Sequence, residues 1–203
     1  KYNRFILHLF ILVVLLISIT AVSAVDLNDT VDSDVLNDVG EKSYDDLNLS
    51  ISNEDSKFTF ESDYTFNNES DKNYSGGIDI TKDNFVIDGK NHKIDCNGQS
   101  RAFDVTGKNV EINNLIIENG FNGYGSAIRT NSQLTLNNVT FINCSGNDTY
   151  SGGAIYSYDT TLKVNNCKFI DNGGENGASI TSIISKVNVA NSTFYSSSWD
   201  IIK

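Results

Sequence analysis

From Phe58 onward the chain alternates apolar and polar residues in short bursts, and the bursts repeat. Four stretches superimpose: VEINNLIIEN from Val110, LTLNNVTFIN from Leu134, LKVNNCKFID from Leu162 and VNVANSTFYS from Val187, with starts 24, 28 and 25 residues apart. In Leu134-Thr-Leu136 and Val139-Thr-Phe141 the period of two sends the apolar side chains to one face, which predicts strands. No apolar stripe in this region is long enough for a helix. A second short strand precedes each copy: AFDV from Ala102, AIRT from Ala127, AIYS from Ala154 and SITS from Ser179. Its anchoring residue (Phe103, Ile128, Ile155, Ile180) stands seven, six, seven and seven positions before the copy. A looser copy comes earlier, in IDITKDNFVIDGKNHKID, where Ile80 to Ile87 keeps the stride and Asp88-Gly89 replaces the Asn pair.

A period near 25 residues, with three short strands in each, predicts a parallel β-helix in which every period is one coil stacked on the next. The Asn pair marks a sharp bend, because Asn tolerates the left-handed conformation and bonds its own backbone. Stacked on successive coils, Asn114, Asn138, Asn166 and Asn191 are expected to form a ladder of side-chain amides along the axis, as Asn does in cross-β stacks. Ala102, Ala127 and Ala154, with glycines before them, allow the tight turn into the next coil. Leucine-rich repeats share the period, but their L-x-x-L-x-L-x-x-N pattern does not fit an Asn pair set directly on the strand. A β-sandwich explains short strands but not a fixed register among four copies. The expectation is an all-β parallel β-helix of about five coils, the last incomplete, with an N-terminal cap over 58–77 and coils over 78–203.

Upstream the pattern changes. Lys1 and Arg4 precede the apolar run FILHLFILVVLLI and then SITAVSA, the order of a signal peptide over 1–24 with Ala24 the last residue removed. The run from Phe5 to Ile17 is 13 residues, shorter than the ~20 of a spanning helix. Extended through Ile19 and Val22, it keeps an uncleaved membrane anchor as the rival reading. Either way the rest of the chain is exported, to the cell surface or beyond it, with no span in the mature domain. Residues 25–57 hold ten Asp and Glu against Lys42 and Lys57, a balance of −8. Isolated Val and Leu among such charge predict a solvated, disordered spacer. An acidic calcium site is the alternative there, but no D-x-[DN]-x-[DN]-G loop occurs.

Charge and cysteines narrow the function further. The 203-residue chain carries a net charge of −11, which argues against nucleic acid, because neutralising phosphates takes clustered Lys and Arg. Cys96, Cys144 and Cys167 are an odd number for an exported protein, no C-x-x-C occurs, and His8 and His92 offer no zinc set. Small semi-buried reduced thiols are the expectation and a single disulfide the alternative. No cofactor is indicated.

SGGAIYS (151–157) with FIDN (169–172) resembles the G-G-A-I and F-x-x-N pair of polymorphic outer membrane protein repeats, and GSAI (125–128), FINC (141–144) and GASI (177–180) are degenerate versions. FVIDGKNHKIDCNGQSRAFDVTGKNVEINNL (85–115) is similar to the first coils of adhesin-like β-helix surface proteins of methanogenic archaea. The resemblance covers about residues 58–203. It implies a right-handed, pectate-lyase-like solenoid displayed at a cell surface. Members of that family run longer and end in a wall- or membrane-attaching segment. This sequence closes on SSSWDIIK inside a coil, so a fragment is expected and the anchoring mode stays open.

A polysaccharide lyase or hydrolase is the enzymatic alternative on the same scaffold. It needs paired carboxylates about 5–10 Å apart, or an acid-bound calcium ion beside a basic residue. The outward column expected on the first strand of each coil reads Asp104, Arg129, Tyr156, Thr181: one acid beside one arginine, a pair worth ~0–1 kcal/mol at a surface. A fold alone grants no activity, and the expectation is a non-enzymatic protein. Insertions in a solenoid gather on one face and often build its binding surface. Tyr124, Tyr150, Tyr156 and Tyr158 lie in or beside such turns and, with Arg129, form the candidate binding face, suited to glycans or proteins of another cell. Eight N-x-[ST] sequons occur. A glycan could not fit at Asn138 or Asn191 in the ladder, and Asn28, Asn48, Asn68 and Asn73 are the candidates for N-glycosylation. The leading reading is an exported adhesin-like protein; a polysaccharide-active enzyme and a passive wall spacer are the others.

Overall fold

Among the described residues every strand pairing is parallel, and each strand pairs with the strand three places away in the chain. The computed structural model describes residues 42–146, 153–174 and 179–195, all within one compact unit, Gly40–Lys203. The first sheet contains β1 (Lys57–Thr59), β4 (Val86–Asp88), β7 (Val110–Asn113), β10 (Leu134–Asn137), β13 (Thr161–Asn165) and β16 (Lys186–Ala190). The second contains β2 (Tyr64–Thr65), β5 (Lys93–Asp95), β8 (Ile116–Glu118), β11 (Thr140–Ile142), β14 (Lys168–Ile170) and β17 (Thr193–Tyr195). The third contains β3 (Ile78–Ile80), β6 (Phe103–Val105), β9 (Ile128–Thr130), β12 (Ile155–Tyr158) and β15 (Ile180–Ile183). The strands β1 to β15 complete five coils of a right-handed parallel β-helix, and β16 and β17 open another. Right-handed crossover is the rule for parallel strands joined across one sheet.

The repeat read from the sequence is the register of the sheets. Leu134 pairs with Val110 on one side and Leu162 on the other, and Leu162 with Val187. The looser copy also aligns: Ile87 pairs with Ile112 and Asp88 with Asn113. Each inward column therefore stacks like on like. The second sheet buries Tyr64, Ile94, Ile117, Phe141 and Phe169 one above the next. The Phe141 and Phe169 rings stack at 4.9 Å, and Phe169 on Phe194 at 4.6 Å. Between strands the chain turns through left-handed residues, mostly Asn or Asp, among them Asn114, Asn119, Asn138, Asn143, Asn166, Asp171 and Asn191. Their short polar side chains lower the steric cost of that conformation.

The N-terminal boundary differs from the expectation. Residues 44–52, assigned by charge to the disordered spacer, form helix α1 (Tyr44–Ser52). Tyr44, Leu47 and Ile51 share one face and are buried in the common core, while Asp45 and Asp46 face solvent. The Ser43 hydroxyl accepts from the Asp46 N–H, and the Asp46 carboxylate accepts from the Ser43 N–H, a capping box. The buried Asp71 carboxylate accepts from the N–H groups of Tyr44 (3.0 Å) and Asp45 (3.2 Å), so three orphan donors at this helix start are satisfied. At the other end the Lys82 ammonium donates to the carbonyls of Ile51, Ser52 and Glu54. The helix rests on β2 and β3. The segment 58–77, expected as a cap, already belongs to the solenoid, since β1 pairs with β4 and β2 with β5. The signal peptide expected over 1–24, and residues 25–41 of the spacer expected over 25–57, lie outside the described residues. Among those described, no helix is long and apolar enough to cross a membrane.

Cys96, Cys144 and Cys167 are free and buried. Cys96 and Cys144 stand two coils apart, about 10 Å at ~4.8 Å per coil, and a disulfide needs Cα atoms within about 7 Å. Cys167 precedes β14 whereas Cys144 follows β11, which puts them at opposite ends of neighbouring strands. The odd count thus reflects packing.

Candidate functional site

The outward face of the third sheet carries one column of functional side chains, fixed by register: Asp79, Asp104, Arg129, Tyr156 and Thr181. The four residues expected from the sequence are joined by Asp79 at the base. Arg129 donates from Nε to Asp104 Oδ1 at 3.0 Å and from Nη2 to Oδ2, a bidentate pair. This contact holds the Arg129 guanidinium above its ordinary pKa. Although these positions point out of the sheet, Asp104 and Tyr156 are each only 8% exposed.

Tyr124, in the segment from Asn119 to Ala127, packs its ring against Tyr156, and Arg101 holds that segment in place. Its guanidinium donates to the carbonyls of Tyr124 (3.0 Å) and Gly123 (2.8 Å) and to Asn122 Oδ1 (2.7 Å). Asn122 in turn donates to the Ser75 carbonyl at 2.8 Å. Burial, then the nearby Arg129 charge, lower the Arg101 pKa to about 10, with Asp104 opposing. Its Nε is buried without a partner among the described residues. Gly125 makes the close approach possible. It sits at φ +85°, and a Cβ there would lie 2.2 Å from the Ile128 carbonyl oxygen and 2.7 Å from the Tyr156 nitrogen.

Above this base Tyr124, Arg129, Thr130, Asn131, Tyr156 and Tyr158 line a cleft of ≈350 Å³. The Tyr124 and Tyr156 rings meet edge to face, centroids 5.2 Å apart and planes at 76°. Tyr124 is 40% and Tyr158 45% exposed. Burial, with the Tyr124 and Tyr158 phenols nearby, raises the Tyr156 pKa, so its hydroxyl is neutral at physiological pH. The structure thus brings together four of the five candidate face residues: Tyr124, Tyr156, Tyr158 and Arg129. The fifth, Tyr150, lies outside the described residues. Sequence reasoning missed Asn131, Asp79 and above all Arg101, which the chain presents only as a lone cation before Ala102-Phe103.

The expected asparagine ladder exists in part. Asn138 Nδ2 donates to Asn114 Oδ1 at 2.9 Å, and Asn114 Nδ2 to Asp88 Oδ1 at 3.1 Å. Asn166 and Asn191 keep the left-handed turn, and Asn166 keeps the backbone bond to the next coil, its N–H reaching the Ala190 carbonyl at 3.0 Å. Two further amide columns were not anticipated. Asn165, Asn137 and Asn113 bond in series at 2.9 and 2.8 Å. Asn143, Asn119 and Asp95 do so at 2.9 and 3.0 Å. Of the sequon residues, Asn68 and Asn73 are exposed. Asn48 lies on α1 with its amide donating to the Tyr74 hydroxyl at 3.2 Å, and Asn28 lies outside the described residues.

Elsewhere a cleft of ≈500 Å³ lies between α1 and the first coil, lined by Lys42, Glu54, Lys57 and Glu61 among others. It holds charges of both signs, and its aromatics Phe58 and Tyr64 are buried, so the cleft with half-exposed tyrosines is the stronger candidate despite its smaller volume. Among the described residues no three His, Cys, Asp or Glu come together as a metal-binding group. In comparison with known proteins, no family, no curated protein and no solved structure matches the chain.

Proposed function

We propose that this chain is an exported, adhesin-like β-helix that attaches to other surfaces through the tyrosine face of its third sheet and breaks no bonds. The observation that carries this reading is the cleft in which two half-exposed tyrosines flank an arginine already paired with its own carboxylate. Exposed aromatic rings with a polar rim suit recognition, since each offers a broad apolar area and a hydrogen-bonding tip. The signal-like start and the G-G-A-I and F-x-x-N repeats support export and display at a cell surface, with glycans or proteins of another cell as partners. A lyase or hydrolase reading finds less support: Asp104 is engaged by Arg129, which removes the obvious carboxylate from acid–base work.

The test is attachment of microbial cells to the immobilised chain, run beside assays for polysaccharide cleavage. Wild-type chain is expected to retain cells and the Tyr124→Ala, Tyr158→Ala double variant to lose them, with no cleavage in either. Cleavage products, or retention unchanged in the double variant, would overturn the proposal.

A further inference from the structure

Taking the tyrosine cleft as the contact face, on which this step rests, we infer that its ligand is a neutral sugar. The ring stacks on tyrosine and its hydroxyls bond to Arg129 and Asn131. The charges around the cleft lead to this choice. Arg129 is the cation that faces it, yet its Nε and Nη2 are occupied by the Asp104 carboxylate. An incoming anion meets a neutralised guanidinium, with exposed Asp79 on the same column and a chain of net charge −11 around it. An incoming cation meets Arg129 itself, whose side chain is 47% exposed, while the Asp104 side chain is only 12% exposed.

A neutral polyol fits what remains. Guanidinium nitrogen carries five N–H donors, and those not used by Asp104 have no partner among the described residues. Tyr156, Tyr158 and Tyr124 supply phenols, and Asn131 an exposed amide that both donates and accepts. Hydroxyls, which also donate and accept, pair with such groups without any charge to desolvate. The Tyr124 and Tyr156 planes stand at 76°, so one ring can offer its electron-rich face to the C–H side of a pyranose while the other offers its edge. The volume of ≈350 Å³ is near the lower end of small-molecule sites, ~300–1,000 Å³, and suits a sugar unit or two better than a folded peptide segment. Arg101, which grips the Gly123 and Tyr124 carbonyls on either side of the Tyr124 Cα, sets the Tyr124 ring before any ligand arrives. Less ordering is then required on binding.

Calorimetric titration of the purified chain tests this with neutral gluco-, manno- and galacto-configured trisaccharides, against trigalacturonate as anion and the chitosan trimer as cation. At least one neutral trisaccharide is expected to bind, with an affinity insensitive to salt. Tyr124→Ala and Tyr158→Ala, at half-exposed positions, are each expected to weaken it roughly three- to tenfold, Tyr158→Ala without shifting the melting temperature and Tyr124→Ala with the small fall due to its lost contact with Tyr156. Tightest binding to a charged trimer with steep salt dependence overturns the inference. So does neutral binding that both tyrosine variants leave unchanged, or no binding of any trisaccharide. The cell-attachment assay separates the levels: attachment lost in the double variant without sugar binding overturns the sugar and keeps the face, whereas attachment unaffected by it overturns the face.

Discussion

Asn138 sits at φ +55°, and its amide donates to Asn114, whose amide donates to Asp88. A carboxylate can only accept, so Asp88 at the foot of the column sets the direction of every amide above it. Asp95 does the same for Asn119 and Asn143. Asn138→Ala removes one amide bond and places a Cβ residue without polar compensation in a left-handed turn, an expected cost of about 1–3 kcal/mol. Asn138→Gly removes the same bond but not the backbone fit, and should cost less. Urea midpoints for the two variants check the order, and a glycine variant less stable than the alanine one would refute the argument. The ladder also predicts a pH effect. The Asn114 hydrogen bond, opposed by burial and aided by the Lys90 N–H and Lys57, holds the Asp88 carboxyl below its usual pKa. Burial opposes the same shift at Asp63, where the Lys93 N–H and the His92 ring prevail. Because the folded values are depressed, this stabilisation is present above the ordinary carboxylate pKa of ~3.9. It is lost as pH falls through the folded values. Asn114→Ala returns Asp88 toward its ordinary value, so its urea midpoint should fall less steeply below pH ~4 than that of the parent.

At the scale of elements, α1 depends on a partner far along the chain. Asp71 takes the N–H groups of Tyr44, Asp45 and Asn67, the last at 2.8 Å. Asp71→Ala strands these donors at a buried helix start, at an expected cost of about 2–3 kcal/mol. The loss should be local: hydrogen exchange is expected to speed up across 44–52 and much less across β7, β10 and β13. Uniform acceleration would show that the helix is not a separable unit. Part of α1 was legible in the sequence. Tyr44, Leu47 and Ile51 have helical spacing, and Ser43 with Asp46 forms a capping pair. Averaging charge over the whole acidic stretch concealed both, because the acids occupy the outward face of the same turns. Asp71 was not legible at all, being 27 positions from Tyr44. The strands β1 and β2, of three and two residues, are too short to show alternation, and only pairing with β4 and β5 identifies them. By contrast, the column Asp104, Arg129, Tyr156, Thr181 was readable because the repeat fixes the register. The support that Arg101 gives Tyr124 was not, since it belongs to an irregular loop.

Across the whole molecule, the strands of each coil pair only with those of its neighbours, so damage should spread over one or two coils and not through the entire solenoid. The three buried thiols make that testable. Burial raises the pKa of each, that of Cys144 to about 12, and only the thiolate attacks an alkylating reagent. Native chain is therefore expected to resist iodoacetamide at pH 8. Phe169 lies in the ring stack between Phe141 and Phe194, two residues from Cys167. Phe169→Ala removes the middle ring at about 3–5 kcal/mol and should open the coils around β14. Cys96 is far from that break, in the second coil beneath α1, where it accepts a hydrogen bond from the Tyr44 hydroxyl at 3.1 Å. In the variant, peptide mass spectrometry should find Cys167 labelled well before Cys96, with Cys144 between them. Simultaneous labelling of all three would mean that the solenoid opens in a single step, with the coils coupled from α1 to β17.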